Sequence, residues 1–441
     1  MPLTDEDAAH FCRRVGFGGS PADIAHFSGR EIADVVNEVI DTVAALPGEP
    51  PDLDSPLQWV TQYKVTEWWL QRMIDGRWAG RDPQVPSPLV EKLALFWHGH
   101  FTSGQDKVYD MRAMWTQNQL FRRSATGFFE DLCQEVAVGS AMLAYLDNAN
   151  NIKGYEQENF ARELMELFTC GVGNFTESDV IAMAKAWTGH NTIGWNGSRE
   201  DHTYVFRSDQ HDNGQKTLFG ITRNWNGPET ITELCKGARQ VETSKFITRK
   251  LYEFFVHAAP PQQTVDLLAG VFRVHGLAVR ELLRAMFGLP EFWGAGARYA
   301  LVKSPTEWVV DTLRRTGVPV AETGAWWAMP AMGQKLFDPP NVAGWKQNAY
   351  WVSTATAWGR ARWASHLRWQ LDGLPVFQGI NDLQPAEIVS MMLSTFGITQ
   401  PSPATVSSLT AWATDARQRF RWSIRPNAMM VAALCPDFQV A

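Results

Sequence analysis

The chain has 441 residues and a formal charge of −7, from 40 Lys and Arg against 47 Asp and Glu. That balance gives no clustered cationic footprint for nucleic acid, and 45% apolar with 20% charged residues excludes wholesale disorder. Twenty Trp against eight Tyr predict a thick aromatic core or aromatic-walled clefts.

In chain order, the opening MPLTDEDAAHF puts acidic residues where a signal peptide carries basic and apolar ones. No stretch approaches the ~18 consecutive apolar residues of a membrane span. Helical periodicity predicts a short helix over 4–14, ended by Gly16, Gly18 and Gly19, then one or two helices over 20–45 with Ser20 as N-cap and Pro21 at N1. PGEPPDLDSP (47–56) reads as a loop, and helices follow at 57–78, 87–98, 108–124 and 126–145. LDNANNIKG (146–154) is a polar loop, and residues 156–170 read as one amphipathic helix closed by Gly171. Thr176 with Asp179 caps a helix reaching about His190. β-Branched and aromatic residues around an Asp-Asn-Gly turn predict a small β-hairpin over 200–222. Helices resume at 229–256, 262–287 and 304–316, an irregular double-proline stretch covers 332–351, and the tail from 353 is helical. The expected fold class is mainly α, a multi-helical body with inserted irregular loops and one small hairpin. It forms a single domain over 1–441, or is cut near 300 into a motif-bearing body and a C-terminal helical part. Cys12, Cys133, Cys170, Cys235 and Cys435 are scattered and without a CxxC pair. They read as reduced, mostly buried thiols of a cytoplasmic protein, with an exported mature form that has lost its leader as the alternative.

Several segments occur in an order found in a known family. They are FCRRVGFGGSP (11–21), EKLALFWHGHFTS (91–103), QNQLFRRSATGFFEDL (117–132) and MLAYLDNANN (142–151). ENFARELMELFTCGVGNFTESDV (158–180), HDNGQKTLFG (211–220), VKSPTEWVV (302–310) and FDPPNVAGW (337–345) continue the series, which reaches CPDFQ (435–439). Over nearly its whole length the chain resembles the bacterial domain-of-unknown-function family 1800. The resemblance implies no particular activity. It implies export for many members and a sulfatase-like partner protein; this chain departs from the pattern in showing no leader.

Four constellations carry potential chemistry. In Phe96-Trp97-His98-Gly99-His100, Gly99 is expected to end the helix. Extended backbone would then turn His98 and His100 the same way, towards a divalent metal or as a general base. The plainer reading wedges both histidines among aromatics. On helix 156–170, Phe160, Leu164, Leu167 and Phe168 form the apolar arc. Asn159, Arg162, Glu163 and Glu166 share one stripe, and Glu158 is an i,i+4 neighbour of Arg162. An Arg beside two Glu can hold one carboxylate ionised while the other moves towards protonation, the separation acid/base catalysis needs. The plainer reading is a solvated, ion-paired face. Asp147 and Asn148 lie just upstream, offering groups for hydroxyls or for Ca²⁺ or Mg²⁺. Asn118 and Arg122, from the 117–132 segment, join them as substrate-binding candidates. His211, Asp212 and Lys216 read either as a tight turn or as a cleft-covering loop with Lys216 set for an anion. Asp338, Asn341 and Trp345 sit on a stiff Pro-Pro loop that suits a sugar ring, or packs as a corner.

There is no GxSxG, Walker A, GxGxxG or HExxH signature. The first expectation is therefore an acid/base enzyme, a hydrolase or lyase, acting on a polar carbohydrate substrate. It would use His98, His100, Glu158, Arg162, Glu163 and Glu166. A non-catalytic binding or scaffold protein is the alternative, and a metal-dependent oxidoreductase using His98 and His100 a further one. The loops at 200–222 and 332–351 are expected to meet the 146–166 segment at one mouth. Trp345 or Tyr350 would form one wall there, and Asp212 or Lys216 the other.

Overall fold

Reciprocal capping boxes set many of the helix starts. Thr4 with Asp7, Ser20 with Asp23, Thr176 with Asp179 and Ser304 with Glu307 each satisfy two backbone N–H groups that a helix end would leave orphaned. The computed structural model describes residues 2–41, 51, 53, 55, 57–80, 82, 84–193 and 203–441. Among these are 22 α-helices and two antiparallel two-stranded sheets, so the protein is mainly α. Most of the expected 47–56 loop lies outside the described residues.

Several expected helices are divided. The 126–145 stretch is two helices, Phe129–Ala137 and Ser140–Tyr145, with Gly139 as the N-cap of the second. The 229–256 stretch divides into Gly227–Cys235 and Gln240–Phe255. The 262–287 stretch divides at Gly276 and Leu277, both left-handed with φ of 63° and 61°. The helix after Thr176 stops at Ala186, and His190–Ile193 is instead a strand paired with Thr203–Phe206. A hairpin does occur where one is expected, Lys216–Leu218 with Ile221–Arg223. Its turn is Phe219-Gly220, with φ of 50° and 81° as a type I′ turn requires. Asp212-Asn213-Gly214 is a separate turn, closed by the Gly214 N–H donating to Asp212 Oδ1 at 2.7 Å.

Two corrections bear on the site. The Pro88–His100 helix runs through Gly99 without a break. Gly344, at φ 76°, packs its backbone onto this turn: a Cβ there would lie 2.1 Å from Gly99 O, whereas one at Gly99 would meet only Trp345 at 3.7 Å. The expected 156–170 helix is α only over Asn159–Glu163 and continues as a π-helix over Leu164–Phe168. Such wide turns re-aim backbone groups and are frequent at functional sites. Here the carbonyls of Leu167 and Phe168 are left for side chains of other helices.

The Pro88–His100 helix is apolar on nearly every face and buried along its length, which makes it the centre of the body. Two charges anchor it. Glu91 accepts from Trp69 Nε1 at 3.0 Å, Arg72 Nε at 3.0 Å and Arg122 Nε at 2.7 Å. Burial would raise its carboxyl, but Arg122 and Arg72 outweigh burial and hold it below the usual carboxylate range. Lys92 donates to Gly16 O and pairs with Glu307. Among the described residues no helix is long and apolar enough to cross a membrane.

Candidate functional site

A cavity of about 390 Å³ opens beside the C-terminal turn of the central helix. That helix supplies Phe96 and His100, Gln240–Phe255 supplies Lys250 and Glu253 one turn apart, and the irregular segment after the Pro-Pro loop supplies Trp345 and Tyr350.

His100 Nε2 donates to Phe168 O at 3.0 Å, so its Nδ1 is left as the acceptor for Lys250 Nζ at 3.3 Å. Burial, and then the Lys250 charge, push the imidazole well below its ordinary range, so it is neutral. Lys250 Nζ also donates to Leu167 O at 3.2 Å and lies 4.9 Å from the Phe246 ring centre. It makes no ion pair among the described residues. Burial lowers its pKa to about 8, against a smaller opposite pull from Glu253. Burial raises the Glu253 carboxyl, with Arg249 and Lys250 opposing. Glu253 has no hydrogen-bond or ion-pair partner among the described residues. Trp345 is mostly buried, while Tyr350 is open and carries Lys346 Nζ 4.5 Å above its ring.

Of the residues singled out from sequence, His100, Trp345 and Tyr350 line this cavity. His98 and His100 do not converge. Within one helix, positions i and i+2 point apart. His98 instead accepts the Phe337 N–H at 3.0 Å among the rings of Trp69, Phe337 and Trp345. Burial takes its pKa down to about 3, so it acts as a neutral bracket for the Pro-Pro loop. Among the described residues no three His, Cys, Asp or Glu side chains gather as a metal-ligand set.

Arg162 is engaged outward, bidentate to Glu177 at 2.8 and 2.7 Å and reaching Glu158 at 3.4 Å. Glu163 is raised by burial and then by Glu166, with Arg162 opposing. Asp147 pairs with Lys107 at 2.8 Å and accepts from Asn159 at 3.2 Å. Asn148 is buried, its amide donating to the carbonyls of Trp187 and His190. Asn118 is buried with neither amide atom partnered among the described residues. Arg122 is locked on Glu91 in the interior.

His211 and Asp212 are tied to Thr188, and Lys216 spends its protons on Asp212 O, Gly214 O and Asn224 Oδ1. These three residues form a closed turn and do not face Trp345; the opposite wall of the cavity is the Lys250 helix. Asp338 pairs with Lys335 and receives the Asp106 N–H at 3.4 Å, while Asn341 Oδ1 closes its own turn on Ala343 N at 2.9 Å. Burial and then Asp338 raise the Asp106 carboxyl.

Lys250 and Glu253 were missed from sequence. A signal existed: Ile247, Lys250, Leu251 and Phe254 stand at i, i+3, i+4 and i+7, which puts a lysine inside an apolar stripe.

No curated protein and no solved structure matched the chain. The family described as "Protein of unknown function (DUF1800)" matches residues 10–440, nearly the whole length, and the chain belongs to that family.

Proposed function

We propose that the chain is an enzyme of acid/base type, a hydrolase or lyase, acting on a polar, carbohydrate-like substrate held in this cavity. One observation carries the reading: Lys250 and Glu253 are opposite charges one turn apart on one helix, facing one cavity, yet neither is paired. Structural charges withdrawn from water are normally paired, as the fully buried Glu91 and Lys92 are, whereas the half-buried Lys250 and Glu253 face the cavity unpaired. Groups left open and shifted towards neutrality mark sites of proton transfer. Glu253 would move the proton, and the Tyr350 ring with the edge of Trp345 would stack a sugar ring. His100 positions Lys250 rather than acting as the base, because its Nδ1 lone pair is already committed.

The second reading is a binding protein without chemistry. Trp327, Trp358 and Trp369, all exposed, give it support as surface aromatic contacts. The sulfatase-like partner that the family resemblance implies belongs to that reading. The five buried free cysteines suit a reducing compartment, and cytoplasmic residence is proposed on that ground. The test is a panel of neutral and acidic oligosaccharides, followed by tryptophan quenching and by product release. Turnover that falls at least ~100-fold in Glu253→Gln, with binding retained, supports the enzyme. Binding without turnover in the wild-type protein favours the second reading.

A further inference from the structure

We propose that Lys250 is the anion-holding group of the cavity, so that the ligand carries a carboxylate or phosphate that docks on its Nζ beside the Tyr350 ring. The proposal deepens the reading above by naming the substrate class.

Lys250 is half-buried, its ammonium facing the cavity, and three lysines lie deeper, Lys92, Lys216 and Lys303. Lys92 meets the Glu307 carboxylate, and Lys303 meets Asp311 at 2.8 Å. Lys216 has no carboxylate, but three oxygens accept from it: Asp212 O at 2.5 Å, Gly214 O at 2.9 Å and Asn224 Oδ1 at 3.1 Å. Each of these ammonium groups is satisfied by charge or by number of acceptors. Lys250 is satisfied by neither. Its two acceptors, His100 Nδ1 and Leu167 O, are uncharged and long at 3.3 and 3.2 Å, and one N–H remains. The remaining N–H belongs to a group that lines the cavity. Solvent can accept that proton but leaves the charge uncompensated, which is costly in a partly enclosed wall.

The acceptors are also fixed in place. The π-turn frees Leu167 O, and the Phe168 O contact sets the His100 tautomer, so the two hold the ammonium from behind without neutralising it. The other charged or titratable groups around it are Glu253, Lys346, Tyr350 and the neutral His100. An anion on Lys250 would raise both Lys250 and Glu253 in pKa, so binding takes up protons. The sign follows: the ammonium form binds, and affinity is lost as pH rises through about 8.

The experiment is calorimetric titration of the whole chain with D-glucuronate, inorganic phosphate and D-glucose at pH 7 and pH 9. Saturable binding of glucuronate or phosphate at pH 7 is expected, weakening about tenfold at pH 9 as the ammonium deprotonates. Glucose should bind at least about tenfold more weakly than the preferred anion. Preference between the two anions identifies a carboxylate or a phosphate ligand. Lys250→Met should abolish anion preference, and Lys250→Arg should restore it in part. If Lys250→Met fails to fold, the pH profile of the wild-type protein decides alone. Failure of both anions to bind, affinity that is flat between pH 7 and 9, or glucose binding as tightly as the anions overturns the proposal. Anion binding without any turnover would overturn the enzyme reading and leave the subsite standing. Turnover of a neutral glycan unchanged by Lys250→Met would do the reverse.

Discussion

Two arginines in family segments are predicted to respond differently to the same truncation, Arg122 with a loss of stability and Arg162 with none. Arg122 is fully buried, holds Glu91 through Nε at 2.7 Å and an Nη at 2.9 Å, donates to Gln119, and stacks 5.1 Å from the Trp68 ring. Arg122→Ala leaves Glu91 in the interior with Arg72 and Trp69 alone. Breaking a buried pair in this way costs about 3–5 kcal/mol. With an unfolding entropy of about 2.1 cal/mol/K per residue, a chain of 441 residues loses about 1 °C for each kcal/mol. The melting temperature should therefore drop by about 3–5 °C. Arg162→Ala removes contacts to Glu158 and Glu177 that lie at the surface, where ion pairs contribute little, so its melt should match the wild type. Thermal unfolding followed by circular dichroism measures both. Equal melts for the two variants would show that Arg122 is not holding a buried charge.

Other outcomes follow from the same structure. His10 and His98 are lowered to about 3 and His190 to about 4, burial being the first cause in each. Depressed folded pKa values mean that the unfolded chain binds the extra protons. The associated stability is therefore complete above about pH 6.5 and is lost as pH falls towards 4 and 3; melts across pH 7.5 to 4 should fall steadily. Gly344→Ala should lower the melt and shift tryptophan emission, since its Cβ would strike Gly99 O, whereas Gly220→Ala meets nothing and adds only left-handed strain of about 1 kcal/mol. All five cysteines are buried and free, with Cys170 pushed up to about 12 and Cys435 to about 11 by burial. A thiol reagent should therefore label almost none in the native protein and all five after denaturation.

Local signals carried the fold class. Caps such as Ser20 with Asp23 and Thr176 with Asp179 are legible because both partners lie within four residues. What failed depended on distant contacts. Gly99 reads as a helix stop by propensity, yet the helix runs through it, and the glycine that the packing demands is Gly344, far along the chain, whose Cβ would strike Gly99 O. The π-turn at 164–168 follows from where Thr169, Cys170 and Gly171 send their donors, to Leu164 O and Met165 O, which periodicity does not record. Of the residues lining the candidate cavity, His100, Trp345 and Tyr350 stand out in the sequence as titratable or aromatic side chains. Lys250 was hidden because its partner His100 is 150 residues away, and only its place in an apolar stripe betrayed it. Lys216, by contrast, looked available on a loop, and its own turn consumes it.

Product release from a glycan panel by wild type and Glu253→Gln, with binding followed in parallel by calorimetry, decides whether the cavity carries out acid/base chemistry. Turnover of at least one acidic glycan is expected, with a loss of at least ~100-fold in the variant and binding that survives it. Equal turnover in both proteins, or a bound glycan whose contacts lie away from Lys250, Glu253 and Tyr350, would rule that chemistry out.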